Sequence, residues 1–303
     1  MTLALVGFAC LLVLCFLGFP LGFSTLLAGL VGFAYLRGWD WHASVTMMSQ
    51  QIVETGANYG LSVIPLFLLM GVLIHRANIS EDLFEAAYAL LGKYRGGLAQ
   101  ATVLACAGFS AVSGSSLATA ATMTKVAMPH MRRYRYDDSL SSGVIAAGGT
   151  LGIMIPPSVP LVIYGLVAEQ DIGKLFIAGV GPGLLLVALY MAAVLLVVLA
   201  RPAVGPAGEA VARAERWRRY RGVWPVLALF VLVLGGIYFG IFTPTEASGI
   251  GATGAAAFAW WRGRLRTLAD LYESLVEAAR TTAALFIVIF GAQVFSKIGR
   301  AHV

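Results

Sequence analysis

Gly108–Ser158, GFSAVSGSSLATAATMTKVAMPHMRRYRYDDSLSSGVIAAGGTLGIMIPPS, sets small polar residues and helix breakers inside sequence otherwise apolar enough to sit in lipid. In hydrocarbon every backbone N–H and C=O needs an internal partner, so a broken helix persists only where protein or a polar cavity surrounds it. Irregularity of this kind at membrane depth is a mark of transport sites.

The rest of the chain agrees with a membrane setting. Of its 303 residues 59% are hydrophobic and 12% charged, and the mean hydropathy is +0.83, outside the composition of ordinary soluble domains. Apolar runs long enough to cross the bilayer recur at Ile52–Ile74, Ile172–Ala200, Val223–Phe242 and Leu271–Phe295. The net charge of +6 does not indicate a nucleic-acid partner, because the arginines fall in short links between apolar runs rather than along one polar face. Three clusters stand out: Arg132, Arg133 and Arg135; Arg201 to Arg221, including Arg216, Arg218 and Arg219; and Arg262, Arg264 and Arg266. If Ser139–Ala168 crosses once, Ile172–Ala200 returns, and the next two runs make a second round trip, all three clusters lie on one side. The positive-inside rule makes that side cytoplasmic.

Cys10, Cys15 and Cys106 sit in apolar sequence without metal or disulfide spacing and read as small core residues. The N-terminus lacks the basic flank of a signal peptide, and its apolar character continues past Gly18, Phe19 and Pro20 to Leu36, as two short helices or one long kinked one. Arg37–Gln51, with Trp39, Trp41 and His42, reads as a polar interfacial link. Pro65 is expected to kink the following span, either as a structural bend or as part of the site. Asn78–Tyr94 alternates acids with Leu83, Phe84 and Tyr88 in an amphipathic pattern suited to the membrane surface.

From Gly96 the sequence turns lipid-like again until Met128, with Ser113, Gly114, Ser115 and Ser116 at its midpoint. Those four residues continue a helix poorly and make a good tight turn. With about sixteen residues on each side, the two arms reach roughly 24 Å. Basic residues flank both ends, so the segment is predicted to be a re-entrant helical hairpin. The next helix is expected to begin at a Ser139 cap, to be interrupted at Gly148, Gly149 and Thr150, and to break at Pro156, Pro157 and Ser158.

A hairpin tip beside a broken helix supplies freed carbonyls, serine and threonine hydroxyls, and helix-dipole ends. These suit a hard cation and a substrate carboxylate. Close helix packing through small residues explains the glycine spacings but not SGSS, GGT and IPPS together. Elsewhere, Glu169 and Asp171 read as solvated or capping, Lys125 as snorkelling, and Glu246 in TPTE as helix-initiating, with gating or proton binding as its other possible role. Enzymatic roles fit poorly. Ser113-Gly114 is preceded by Ala111-Val112, so the intramembrane serine-protease motif is absent, and no Walker or dinucleotide fingerprint occurs.

At these residues the chain resembles the large membrane subunit of the tripartite ATP-independent periplasmic (TRAP) transporters. GFSAVSGSSLATAATM, AAGGTLGIMIPPS, LFIAGVGPG at Leu175–Gly183 and GIFTPTEA at Gly240–Ala247 occur in that family's order. The resemblance implies an all-α polytopic membrane protein of a bacterial or archaeal cytoplasmic (inner) membrane, with broken helices and a re-entrant hairpin. This would be the first part of an inverted-repeat, elevator-type importer. It further implies sodium coupling, an organic-acid substrate delivered by a periplasmic substrate-binding protein, and a small four-helix membrane subunit as partner. No nucleic acid and no other cofactor is implied. A non-transporting scaffold or assembly subunit is the alternative reading. The site set carried over is Ser113, Gly114, Ser115, Ser116 and Thr119 with Gly148, Gly149, Thr150, Pro156, Pro157 and Ser158, sodium being assigned to Ser113, Ser115, Gly149 and Pro156.

The expected organisation is N-terminal helices and a surface helix in 1–95, a transport core in 96–170, scaffold helices and the start of a second repeat in 171–297, and a non-native tail in 298–303. The end at Val303, with no second hairpin after Phe295, reads as a truncation. A piece lacking the second half of the site is expected not to transport alone.

Overall fold

The computed structural model describes residues 2–300, and all regular secondary structure among them is helical. Residues 301–303, the end of the expected tail, lie outside the described residues. The chain forms two compact units, Met1–Ser62 with Val276–Val303, and Val63–Leu275. The first holds α1 (Thr2–Phe16), α2 (Leu21–Leu36) and α3 (Trp41–Gly56). The second holds α4 (Val63–Arg76), α5 (Ile79–Leu91), α6 (Gly97–Ser113), α7 (Ser116–Arg133), α8 (Asp138–Met154), α9 (Val159–Val167), α10 (Ile172–Ala200), α11 (Arg213–Tyr238) and α12 (Pro244–Trp261). The last helix, α13 (Leu268–Arg300), begins in the second unit and continues in the first. Among the described residues five segments are long and apolar enough to cross a membrane: Tyr59–Arg76, Asp138–Val167, Ile172–Ala200, Arg213–Tyr238 and Leu268–Ile298.

The N-terminal apolar block resolves into two helices, α1 ending before the Gly18 turn (φ +89°) and α2 starting after Pro20. Two expectations are corrected here. Arg37–Gln51 is not a link: Asp40 accepts a hydrogen bond from Ala43 N at 3.0 Å and starts α3. The apolar run Ile52–Ile74 is not one span, because α3 stops at Gly56 and a turn follows, in which Asn58 Oδ1 accepts from Gly60 N at 2.9 Å. The membrane-crossing segment begins within that turn, at Tyr59.

Pro65 consequently falls in the first turn of α4, where its missing N–H leaves no ladder bond unmade and it kinks nothing. Pro65→Ala is expected to change the unfolding free energy by less than about 1 kcal/mol, read as thermal stability in detergent. A mid-helix proline kink would show a larger change.

Two further corrections concern the broken helix. Its cap is Asp137, whose carboxylate accepts from Ser139 N at 2.8 Å, rather than Ser139 itself. That set of bonds holds the exposed Asp137 carboxyl below its usual pKa, the Ser139 hydroxyl contributing most. The helix then runs unbroken through Gly148, Gly149 and Thr150 and breaks once, at Ile155–Ser158. Glycine within a helix is equally compatible with a break and with close packing, and here it packs. Glu246 initiates α12 through a capping box: Thr243 N donates to its carboxylate at 2.8 Å and Glu246 N donates to Thr243 Oγ1 at 3.3 Å. Asp171 caps α10 through Lys174 N at 3.0 Å.

Main-chain bonds tie the hairpin's base to the link between α10 and α11. Gly96 N donates to Gly205 O at 2.9 Å, Gly208 N to Gly92 O at 2.9 Å, and Asp137 N to Val204 O at 3.1 Å. The Tyr88 hydroxyl receives Glu209 N at 3.1 Å and lies 3.0 Å from the Tyr134 hydroxyl. Tyr136, buried beside the base, accepts from Leu98 N at 3.2 Å; burial pushes its phenol up to about 12, so it stays neutral. On the same unit, Arg219 pairs with Glu85, and Arg262 pairs with Asp82. These contacts gather the three basic clusters at the end of the unit where α5 lies, as the positive-inside reading requires.

Candidate functional site

The hairpin turns at Gly114. This residue adopts φ +59°, a left-handed conformation that suits glycine, and its N–H returns to Ser110 O at 3.1 Å. Ser115 then caps α7, its hydroxyl accepting from Ala118 N at 3.3 Å. Thr119 Oγ1 donates to Ser115 O at 2.8 Å and lies 3.0 Å from Ser113 Oγ, so the two arms share a buried hydroxyl pair directly behind the tip. Thr119 is fully buried and Ser113 nearly so.

The tip meets the break in the neighbouring helix. Val159 N, the first residue of α9, donates to Gly114 O at 3.4 Å. A Cβ on Gly114 would lie 2.7 Å from Pro157 O, and one on Gly152 would lie 2.7 Å from the Ser115 carbonyl, so each partner approaches the other at a glycine. Across the break the buried Ser158 hydroxyl donates to Ile153 O at 2.8 Å. Four helix ends thus converge: the C-termini of α6 and α8, which carry partial negative charge, and the N-termini of α7 and α9, which carry partial positive charge.

The structure brings Ser113, Gly114, Ser115, Ser116, Thr119, Pro157 and Ser158 to this one place. Gly149 packs just behind it, where a Cβ would be 3.2 Å from Ser116 O and 2.8 Å from Ala120 Cβ. Because Gly149 lies inside α8, its carbonyl belongs to a helical turn rather than to the break. Gly148 faces Cys106 instead, Pro156 packs towards Gly179 on α10, and Thr150 is exposed with its hydroxyl 2.9 Å from that of Tyr190.

Sequence reasoning missed four neighbours. Gly152 is one. Gly71 of α4 is another, seated where a Cβ would be 3.2 Å from Ser113 Cα. His75, one turn further along α4, places Nδ1 3.3 Å from Thr122 Oγ1 and its ring edge-on to Phe109. The fourth is Ser110, fully buried, whose hydroxyl has no hydrogen-bond partner among the described residues. The spacing Gly71/His75 (i, i+4) marks one face of α4 turned to the hairpin, but nothing in the sequence says what that face meets.

No charged side chain belongs to the tip or the break. The donors there are hydroxyl and carbonyl oxygens, which are hard ligands, and the unpartnered Ser110 hydroxyl sits one turn from the tip. A group of this composition fits an alkali cation. Among the described residues no cluster of His, Cys, Asp and Glu is arranged to hold a transition metal.

A re-entrant hairpin closed against a broken helix within a bundle of membrane-crossing segments is the architecture of a membrane transport component. The chain belongs to the DctM component family of the tripartite ATP-independent periplasmic transporters, whose family model matches residues 8–299. It is 40% identical over 255 residues to a C4-dicarboxylate TRAP transporter large permease of Pseudomonas aeruginosa, covering 84% of this chain and 59% of that protein. It is 33% identical to an ectoine/5-hydroxyectoine TRAP large permease of Ruegeria pomeroyi over 95% of the chain and 67% of the relative. A sialic acid TRAP permease of Haemophilus influenzae is 32% identical over 92% of the chain and 44% of its own length. The chain therefore spans roughly half to two thirds of these relatives. It is a multi-pass inner-membrane protein of a permease family, not an enzyme.

Proposed function

We propose that this chain forms the first half of the translocation path of a sodium-coupled secondary importer for a carboxylate-bearing solute. The observation that carries the reading is the convergence of the hairpin tip at Gly114 with the helix break at Pro157–Val159. The last-turn carbonyls of α6 and α8, with the hydroxyls of Ser110, Ser113 and Thr119, would hold sodium. The N-termini of α7 and α9 would face the substrate carboxylate. The order of events then follows from electrostatics: a cation at the tip makes the uncharged site attractive to an anion, so sodium binds before or with substrate.

The relatives named above carry C4-dicarboxylate, ectoine and sialic acid in their descriptions, and that range supports a carboxylate solute rather than one particular acid. Membership of a tripartite family supports a periplasmic substrate-binding protein and a small membrane subunit as partners. Movement of the hairpin unit as an elevator completes the proposal.

The test is uptake in proteoliposomes by the assembled transporter containing this chain, with a panel of organic acids and a sodium gradient. Thr119→Val keeps the shape and removes the hydroxyl that bridges the two arms. It is expected to raise the sodium concentration for half-maximal uptake about tenfold or more, in line with the loss of one charge-assisted bond. Unchanged sodium dependence in a folded Thr119→Val protein overturns the sodium assignment, and sodium-independent uptake by the parent overturns the coupling.

A further inference from the structure

Away from the hairpin, α11 and α12 enclose a cleft of about 490 Å³ lined by Arg221, Trp224, Pro225, Phe258, Trp261 and Arg262. It continues into a second cleft of about 460 Å³ that shares Trp224, Pro225, Phe258 and Trp261 and runs on past Ile74, Ile79, Val226, Leu229, Leu232 and Gly254. One end therefore carries two guanidinium groups and two indoles, and the other is wholly aliphatic. The geometry points to a binding site for an anionic glycerophospholipid, with its phosphate at Arg221 and an acyl chain along Leu229 and Leu232.

Three features single out this occupant. First, the cationic groups differ in commitment. Arg262 is fixed by Asp82, by the Ala77 carbonyl at 3.1 Å and by the Phe258 face, its Cζ lying 5.2 Å from the ring centroid. Arg218 and Arg219 are paired with Glu215, and Arg219 also with Glu85. Arg221, exposed at the cleft mouth, forms no ion pair among the described residues, and it follows these paired arginines on the same helix.

Second, Trp224 and Trp261 remain 69% and 76% exposed beside Arg221 and Arg262, the amphipathic side chains expected at the level of lipid headgroups. Third, this is the end of the unit where the basic links gather, so the site faces the cytoplasmic leaflet, whose anionic lipids attract basic residues next to a membrane helix. A free phosphate or a soluble anion would use the arginine end and leave the aliphatic continuation empty.

Lipid quenching of tryptophan fluorescence tests the site. Trp39, Trp41, Trp217 and Trp260 are changed to Phe, leaving Trp224 and Trp261, and the purified protein in detergent is titrated with brominated phosphatidylglycerol or brominated phosphatidylcholine. Phosphatidylglycerol is expected to quench with about fivefold tighter apparent binding, the preference one uncommitted arginine supplies near a lipid surface. Arg221→Gln is expected to abolish that preference, and Arg218→Gln, outside the cleft, to leave it intact. Native mass spectrometry of the unsubstituted protein should retain phosphatidylglycerol adducts in the same ratio, which guards against loss of fold in the tryptophan variants. Equal quenching by the two lipids overturns the proposal. So does a preference that survives Arg221→Gln, or quenching that vanishes when the complete transporter is assembled, since a protein subunit would then occupy the cleft.

Discussion

Gly114→Val is expected to lower the unfolding free energy by about 3 kcal/mol or more and to abolish transport by the assembled protein. Two costs combine. An L-residue at φ +59° costs roughly 1–2 kcal/mol, more when β-branched, and overpacking against a backbone that cannot retreat adds about 1–3 kcal/mol. Here the obstacle is the Pro157 carbonyl, 2.7 Å from the added Cβ. Gly152→Ala tests the same contact from the other side, against the Ser115 carbonyl. Gly143→Ala is the matched control, because a Cβ there meets nothing within 4 Å and should leave stability unchanged or slightly higher. Thermal unfolding in detergent reads all three, and a parent-like midpoint for Gly114→Val would show that the tip is not seated on the break.

Arg262→Ala is expected to destabilise the protein by about 2–3 kcal/mol, whereas Asp82→Asn should shift stability by less than about 1 kcal/mol in either direction. The asymmetry comes from what each substitution leaves behind. Without Arg262 the partly buried Asp82 carboxylate loses its cation. Without the Asp82 charge, Arg262 keeps the Ala77 carbonyl and the Phe258 ring.

Burial raises the Asp82 pKa above its usual 3.8, outweighing the opposing pull of Arg262, with Glu81 and Glu85 adding to the rise. The folded protein therefore holds this proton where the unfolded chain has released it. The contribution is fully present below pH 3.8 and is lost as pH rises through the higher folded value. Asp82→Asn should flatten the stability profile in that mildly acidic window, measured as unfolding midpoints against pH. A profile identical to the parent's would remove Asp82 from the account.

How much of this was legible in the sequence depended on the kind of signal. Ser113–Ser116 and Pro156–Ser158 declared themselves because hydroxyls, glycine and paired prolines contradict the apolar sequence around them. The amphipathic helix at Ile79–Leu91 was legible from its periodicity, and the TPTE start of α12 from its capping chemistry. Gly148-Gly149-Thr150 misled because glycine both loosens a helix and lets another approach it, and only the facing residues, Cys106 and Ala120, decide which. The division between α3 and α4 was hidden because hydropathy continues across Gly56–Ser62 while the backbone turns. Ser110, Gly71 and His75 were silent because their meaning lies in tertiary neighbours.

The main-chain bonds from Val204, Gly205 and Gly208 leave no mark in side-chain chemistry, yet they determine how the hairpin can move. Its two feet, at Gly92–Gly96 and at Asp137, are fastened to one short stretch of the α10–α11 connection. They cannot part without breaking amide hydrogen bonds to that stretch, and at the other end the arms are joined by the chain itself through Gly114 and Ser115. The hairpin is therefore closed at both ends, like a staple, and whatever displaces it as a whole must break those bonds or carry the α10–α11 connection with it.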